Sequence, residues 1–420
     1  MKARHVTAAC LAVSLIAGQA LAADRWLGAW GFAPTPPAPP AAASTPSTPP
    51  NPAPAPAPAP PATQATPPPL ASGPSTVADV TLRQLVRVSA AGTKVRVRLT
   101  NEFGTEPITI GKAVVAPAKA DGSAGEALLL TFGGQPSAMI YPGAPLYSDP
   151  VDLPVKALQE LAVSLYLPEE TRLPVHSLRQ TLSDKGDFTT AARFGDKPLR
   201  LGALVTGVEV VSAQPRRVIV TLGDSITEGA GSTPGAYQSW PDQLAVRLAG
   251  RAAVVNVGIS GNRVLRERSG QSALARFDRD VLSVPGVTDV VLLEGINDIN
   301  RAFNPQYAER ANADDLIGAY KQLILRAHAK GLRIYGGTLT PQAGYRSFSP
   351  QTEEIRQAVN AWIRTSSAFD GVIDFDAAVR DPAKPEAMVA AYQSGDWLHP
   401  GDAGYKVMAA AVDLRLFGVK

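Results

Sequence analysis

From Val95 to Asn101 the chain reads VRVRLTN, with apolar and polar positions alternating at the period of two that a half-buried strand requires. The runs ITI, AVVA, ALLLTF and LAVSLYL follow between Gly, Pro and Asp turns, and together they predict a β-sandwich over residues 79–212. Near Arg216 the pattern changes. Beyond it lie the apolar runs VIVTL (218–222), AVVNV (253–257), DVVLLE (289–294), RIYGGTL (333–339) and GVIDF (371–375). Helical periodicity separates them near 238–249, 272–282, 313–330 and 351–366, and a last helix begins at about 402. Strands that are apolar on both faces and alternate with helices predict a parallel sheet covered on each side, here over 213–420. In such sheets ligands gather beyond the carboxyl ends of the strands.

The start of the chain follows neither pattern. Lys2 and Arg4, an apolar region from Val6 to Ala17 and the small-residue site Ala20-Leu21-Ala22 predict that residues 1–22 are a signal peptide, hence an exported protein, periplasmic or extracellular. The apolar part is shorter than the roughly 20 residues of a spanning helix, so no integral membrane segment is expected after cleavage. Cys10, the sole cysteine, lies inside this segment, which excludes disulfides, zinc–thiolate sites and a cysteine nucleophile from the mature chain. From Pro34 to Pro69 there are 17 prolines in 36 residues and no charge, a composition that builds an extended spacer and no core; the linker is placed at 34–78. Between signal and linker stands WLGAWGFA, whose Trp26 and Trp30 are costly to leave in water, so residues 23–33 are expected to form a short strand against a later domain. The net charge is +3, or +1 without Lys2 and Arg4, and no basic stripe appears, which argues against nucleic acid or an anionic membrane as partner.

The first apolar run of the second half ends in GDSITEG (223–229). A strand running into Gly-Asp-Ser makes a strand-to-helix turn, in which Ser225 or Thr227 caps the helix or Ser225 serves as a nucleophile. A nucleophilic serine needs a base, and the chain has four histidines. His5 leaves with the signal, His176 falls in the β-region, and His328 sits in the helical pattern AYKQLILRAHAKG. His399 lies instead in GDWLHPGDAGY, with Asp396 three residues before it, a spacing that lets the carboxylate reach Nδ1 of the imidazole while Nε2 faces a serine. An acyl-transfer site also needs donors for an oxyanion. NVGISGNR (256–263) offers the N–H of Gly261, and EGINDIN (294–300) the amide of Asn297; both stretches follow predicted strands. Asp224 and Asp298 read as carboxylates that hold their loops by accepting backbone N–H groups, while Arg263, Arg301 and Trp397 adjoin the site as pocket or packing residues. No ligand spacing for a metal is present.

The blocks GDSIT, ISGN, GIND and DWLHP, in this order, resemble the SGNH hydrolases, also called GDSL-type esterases, over roughly residues 216–420. Ile226 stands where the family nickname has leucine. The resemblance implies a three-layer α/β/α sandwich, preceded here by the β-sandwich accessory domain, and catalysis without a cofactor. It implies Ser225 as nucleophile, His399 as base, Asp396 as its orienting acid, and the N–H of Ser225 with Gly261 and Asn297 as the oxyanion hole. TLRQLVRVS (81–89) and RLTNEFG (98–104) are similar to a two-domain subgroup of secreted bacterial esterases that act on plant polysaccharides. The expected activity is therefore hydrolysis of short-chain acyl esters, acetyl above all, with an acetylated polysaccharide as substrate. A lipid esterase or acyltransferase using the same residues is the alternative, and a carbohydrate-binding protein with an inert hydrolase domain is another.

Overall fold

The computed structural model describes residues 24–36, 70–195, 198–214, 217–303 and 310–419. The segment read as a signal peptide and residues 37–69 of the proline-rich run lie outside the described residues.

Residues 71–211 form a β-rich domain built mainly from two antiparallel sheets. In the first, strand Gly92–Thr100 buries Val95, Val97 and Leu99 while Arg96 and Arg98 stay partly exposed, the alternation that VRVRLT requires. Its neighbour Val205–Val211 pairs on the other edge with Trp26–Gly31, so the tryptophan-bearing segment is an antiparallel strand of this sheet. The second sheet has the order Leu199–Gly202, Ser177–Lys185, Val80–Arg87, Glu160–Leu167, Lys112–Pro117, Leu128–Leu130. Residues 71–77, which the sequence reading puts at the end of the linker, are held on this domain: Ala71 O and Arg200 O accept from Arg200 N–H and Gly73 N–H at 2.9 Å, and Thr76–Val77 pairs with Thr171–Arg172.

The C-terminal domain is a parallel sheet of five strands in the order Ala253–Asn256, Val218–Gly223, Asp289–Leu293, Arg333–Gly337, Val372–Ile373. Every residue of Val218–Gly223 and Asp289–Leu293 is buried, as helices on both faces demand. The chain leaves Val218–Gly223 to build its neighbour on one side and then returns to build the other, so the crevice where the order reverses opens just past Gly223. The strands stop one or two residues short of the apolar runs at Glu294, Leu339 and Phe375, where the backbone turns into loops and short helices at the carboxyl edge. Helices Trp240–Leu248, Ala313–Ala329, Pro350–Thr365 and Asp402–Ala411 follow the periodicity closely. The fifth expected helix divides into Ala273–Phe277 and a π-helical turn, Asp278–Leu282. Among the described residues, no helix is long and apolar enough to cross a membrane.

The domains share a continuous apolar core. Ser89 bridges them: its hydroxyl, with one hydrogen to give, lies 2.7 Å from Ala29 O and 2.9 Å from Val254 O, and it accepts from Val254 N–H. Arg87 pairs with Asp242 at 3.2 Å, and Tyr237 donates to Glu160.

Candidate active site

At the end of the first parallel strand the chain turns into a single helical turn, Ser225–Glu228. The cap of that turn is Asp224, whose Oδ1 accepts the Ile226 N–H at 2.9 Å. Capping therefore leaves the Ser225 hydroxyl free, and Ser225 Oγ stands 2.8 Å from His399 Nε2.

The histidine comes from the loop before the last helix, closed by Ser394 N–H donating to His399 O at 2.8 Å. Asp396 Oδ2 lies 2.6 Å from His399 Nδ1, while its Oδ1 accepts the N–H groups of Leu398 at 3.0 Å and His399 at 2.9 Å. One carboxylate thus sets both the loop and the ring. Burial works against the charge, but the bonds from the His399 ring and from the two N–H groups prevail and hold the Asp396 carboxyl down at about 2. The loop is tied to the segment that follows Ser225 by Tyr405 OH donating to Ala230 O at 2.6 Å, and by Asp402, which accepts Thr233 N–H at 2.8 Å and Thr233 Oγ1 at 2.7 Å.

The two stretches expected to supply oxyanion donors also meet. Gly261 has φ +76°, and a Cβ there would come within 2.8 Å of Ser269 Oγ. Asn297, in the helix that starts after Gly295, donates from Nδ2 to Asn262 O at 3.0 Å, which places it beside the Gly261 loop. The N–H groups of Ser225 and Gly261 donate to no acceptor among the described residues. Asp298 accepts Val264 N–H at 2.8 Å and Leu265 N–H at 3.1 Å, the loop-holding role read from the sequence, and burial raises its carboxyl to about 6 against those bonds. Arg263 is buried and donates to Glu267 O, and Trp397 is half-buried against Gly344.

Two buried groups beneath the site went unread in the sequence. Arg276 is fully buried and donates to Gly223 O at 3.0 Å, Val257 O at 2.6 Å, Asn262 Oδ1 at 2.9 Å and Asp280 Oδ2 at 3.2 Å. It thereby pins the carboxyl ends of two strands and the Gly261 loop to one another. Glu294, also buried, faces Asp224. Burial raises the Asp224 carboxyl, and burial with the adjacent Asp224 charge raises Glu294 well above the carboxylate range.

A cavity of about 690 Å³ lies between the domains, lined among others by Arg83, Arg179, Arg200, Tyr237, Glu228 and Ser260. The last two adjoin the serine turn and the Gly261 loop.

Residues 221–407 match the model of the GDSL-like lipase/acylhydrolase family. Similar solved structures include a GDSL-like lipase from Bacteroides thetaiotaomicron, 20% identical over 50% of this chain and 93% of that chain, with a TM-score of 0.38. An acetyl xylan esterase from Geobacillus stearothermophilus is 24% identical over 49% of this chain and 95% of that chain, TM-score 0.38. An alpha/beta hydrolase enzyme from the metagenome of Lake Arreo is 21% identical over 48% of this chain and 95% of that chain, TM-score 0.37. No curated protein matches.

Proposed function

Because residues 221–407 form a domain of the GDSL-like lipase and acylhydrolase family, we propose that the chain is an exported serine esterase that releases short acyl groups, acetyl first among them, from carbohydrate. The observation that carries this reading is the continuous hydrogen-bonded chain from Ser225 Oγ through His399 to Asp396. His399 Nε2 takes the Ser225 proton as Oγ attacks the ester carbonyl, and the negative charge on the carbonyl oxygen is met by the N–H groups of Ser225 and Gly261 and by Asn297 Nδ2. The imidazolium then gives its proton to the departing alcohol oxygen. Water, deprotonated by the same nitrogen, attacks the acyl-serine, and the acid leaves as Ser225 recovers its proton.

Carbohydrate is favoured over lipid by the composition of the chain around the site. The stretches around the site are rich in Gly, Asn, Arg and Asp and contain no long run of Leu, Phe or Met.

The test is kcat/KM across p-nitrophenyl esters of increasing acyl length, together with acetate release from acetylated xylan. The reading expects the highest value at acetate, a steady fall with length, and acetate released from the polymer. A maximum at long chains with no acetate released would turn it to a lipid esterase.

A further inference from the structure

Glu228 closes the helical turn that Ser225 opens, and its two oxygens face in different directions. Oε2 accepts the N–H of Ser260 at 2.6 Å, the residue immediately before Gly261. Oε1 lies 3.4 Å from Nε2 of His176, which belongs to the β-rich domain. Both side chains are largely buried, with 16% and 8% of their surfaces exposed. The imidazole is itself held from two sides: Nδ1 is 2.7 Å from Ala33 O, and the ring stacks on Phe32 with centroids 4.0 Å apart. A carbonyl can only accept, so Nδ1 carries a hydrogen. Nε2 makes no hydrogen bond among the described residues, so its 3.4 Å approach to Glu228 is a close contact between the two side chains and not a hydrogen bond.

The Gly261 loop rests directly on the serine turn. Asn256 donates from Nδ2 to Thr227 O at 2.8 Å and accepts Gly258 N–H at 2.9 Å, and Ile259 N–H donates to Gly223 O at 3.1 Å. A Cβ on Gly258 would stand 2.4 Å from Glu228 N, so the approach is close enough to require glycine. A displaced Glu228 would therefore move both the nucleophile and the neighbouring oxyanion donor.

We propose that the β-rich domain positions the oxyanion loop of the catalytic domain through a relay from His176 to Glu228 to the Ser260 N–H. Glu228 and His176 are positioning residues, since neither touches the reacting atoms. The charge of Glu228 is kept despite burial: His176, the Ser260 N–H and Arg200 outweigh the cost of burial and hold its carboxyl below the ordinary value. The accessory domain is on this account part of the catalytic device. The inference rests on the esterase reading for its consequence in turnover, and on geometry alone for the relay itself.

Amide hydrogen exchange on the full chain tests the relay independently of activity. In Glu228→Ala and in His176→Ala, the amides of Ser260 and of Asn262, whose N–H donates to Ile259 O at 3.0 Å, exchange faster than in the parent, whereas amides of the strand Val218–Gly223 keep their protection, which shows that the domain remains folded. Glu228→Gln, which retains an acceptor for Ser260 N–H, keeps most of the protection at Ser260. In turnover of p-nitrophenyl acetate, Glu228→Ala lowers kcat by roughly tenfold to a hundredfold with KM little changed, the scale of a misplaced catalytic donor. His176→Ala costs less in the Glu228→Gln background than alone, because its partner charge is already gone. Unchanged exchange at Ser260 and Asn262 in Glu228→Ala, or equal loss on His176→Ala in both backgrounds, would overturn the relay. Faster exchange in a protein whose parent hydrolyses no ester would instead keep the relay and refute the esterase reading.

Discussion

Asp396 holds His399 at two points, accepting the backbone N–H at 2.9 Å with one oxygen and lying 2.6 Å from ring Nδ1 with the other. The charge of this carboxylate and its orienting role are separable. Asn at position 396 retains an oxygen for the two N–H groups but removes the negative charge that stabilises an imidazolium. Asp396→Asn should therefore fold normally and lower kcat by on the order of a hundredfold or more. Because the folded-state carboxyl is held at about 2, below its ordinary value, the contribution of its charge is complete above the ordinary carboxyl range and is lost only as pH falls through about 2. The acid limb of the parent pH–rate profile accordingly belongs to the base and not to Asp396. Steady-state kinetics from pH 4 to 9 on parent and variant check both points, and a second carboxyl limb in the parent would contradict the assignment.

Asn297 donates to Asn262 O in the resting site and, on the proposed mechanism, turns that amide to the oxyanion during reaction. Asn297→Ala should reduce kcat by roughly a hundredfold to a thousandfold, the scale of losing one such donor, with a smaller change in KM. A variant with raised KM and intact kcat would make Asn297 a ground-state binding residue.

The buried Asp224 and Glu294 pair ties stability to pH. A carboxyl raised in the folded state stabilises the fold fully below its unfolded value, and that contribution is lost as pH rises through the folded value. Glu294→Gln keeps the size and shape of the side chain and removes the carboxyl that titrates. Denaturant midpoints measured from pH 4 to 9 should decline more in the parent than in Glu294→Gln as pH rises, so that the variant gains on the parent toward alkaline pH. Parallel curves would show that the Glu294 carboxyl is not raised in the folded state.

Much of the C-terminal half was legible from the chain because its signals are local. Continuous Val, Ile and Leu between helical periods identifies the five parallel strands, and Asp396 reaches His399 across a single turn. The capping alternative at Ser225 turns out to fall one residue earlier, on Asp224, since the strand runs on through Gly223 before the helix begins. Arg276, Glu294 and the pairing of His176 with Glu228 left no such trace. An arginine in a helical pattern reads as a surface charge, a glutamate at a strand end as a solvated one, and a histidine in a β-region as ordinary until the other domain is laid against it. Their meaning lies in contacts between segments far apart in sequence, which periodicity does not record.

The central claim, that Ser225 is the nucleophile, is tested most directly by labelling the protein with an alkyl fluorophosphonate and mapping the adduct by mass spectrometry. Loss of turnover in step with a single adduct on Ser225, and no labelling of folded but inactive Ser225→Ala, is the result this account predicts. An adduct on another residue, with Ser225→Ala still hydrolysing p-nitrophenyl acetate at the parent rate, would contradict it.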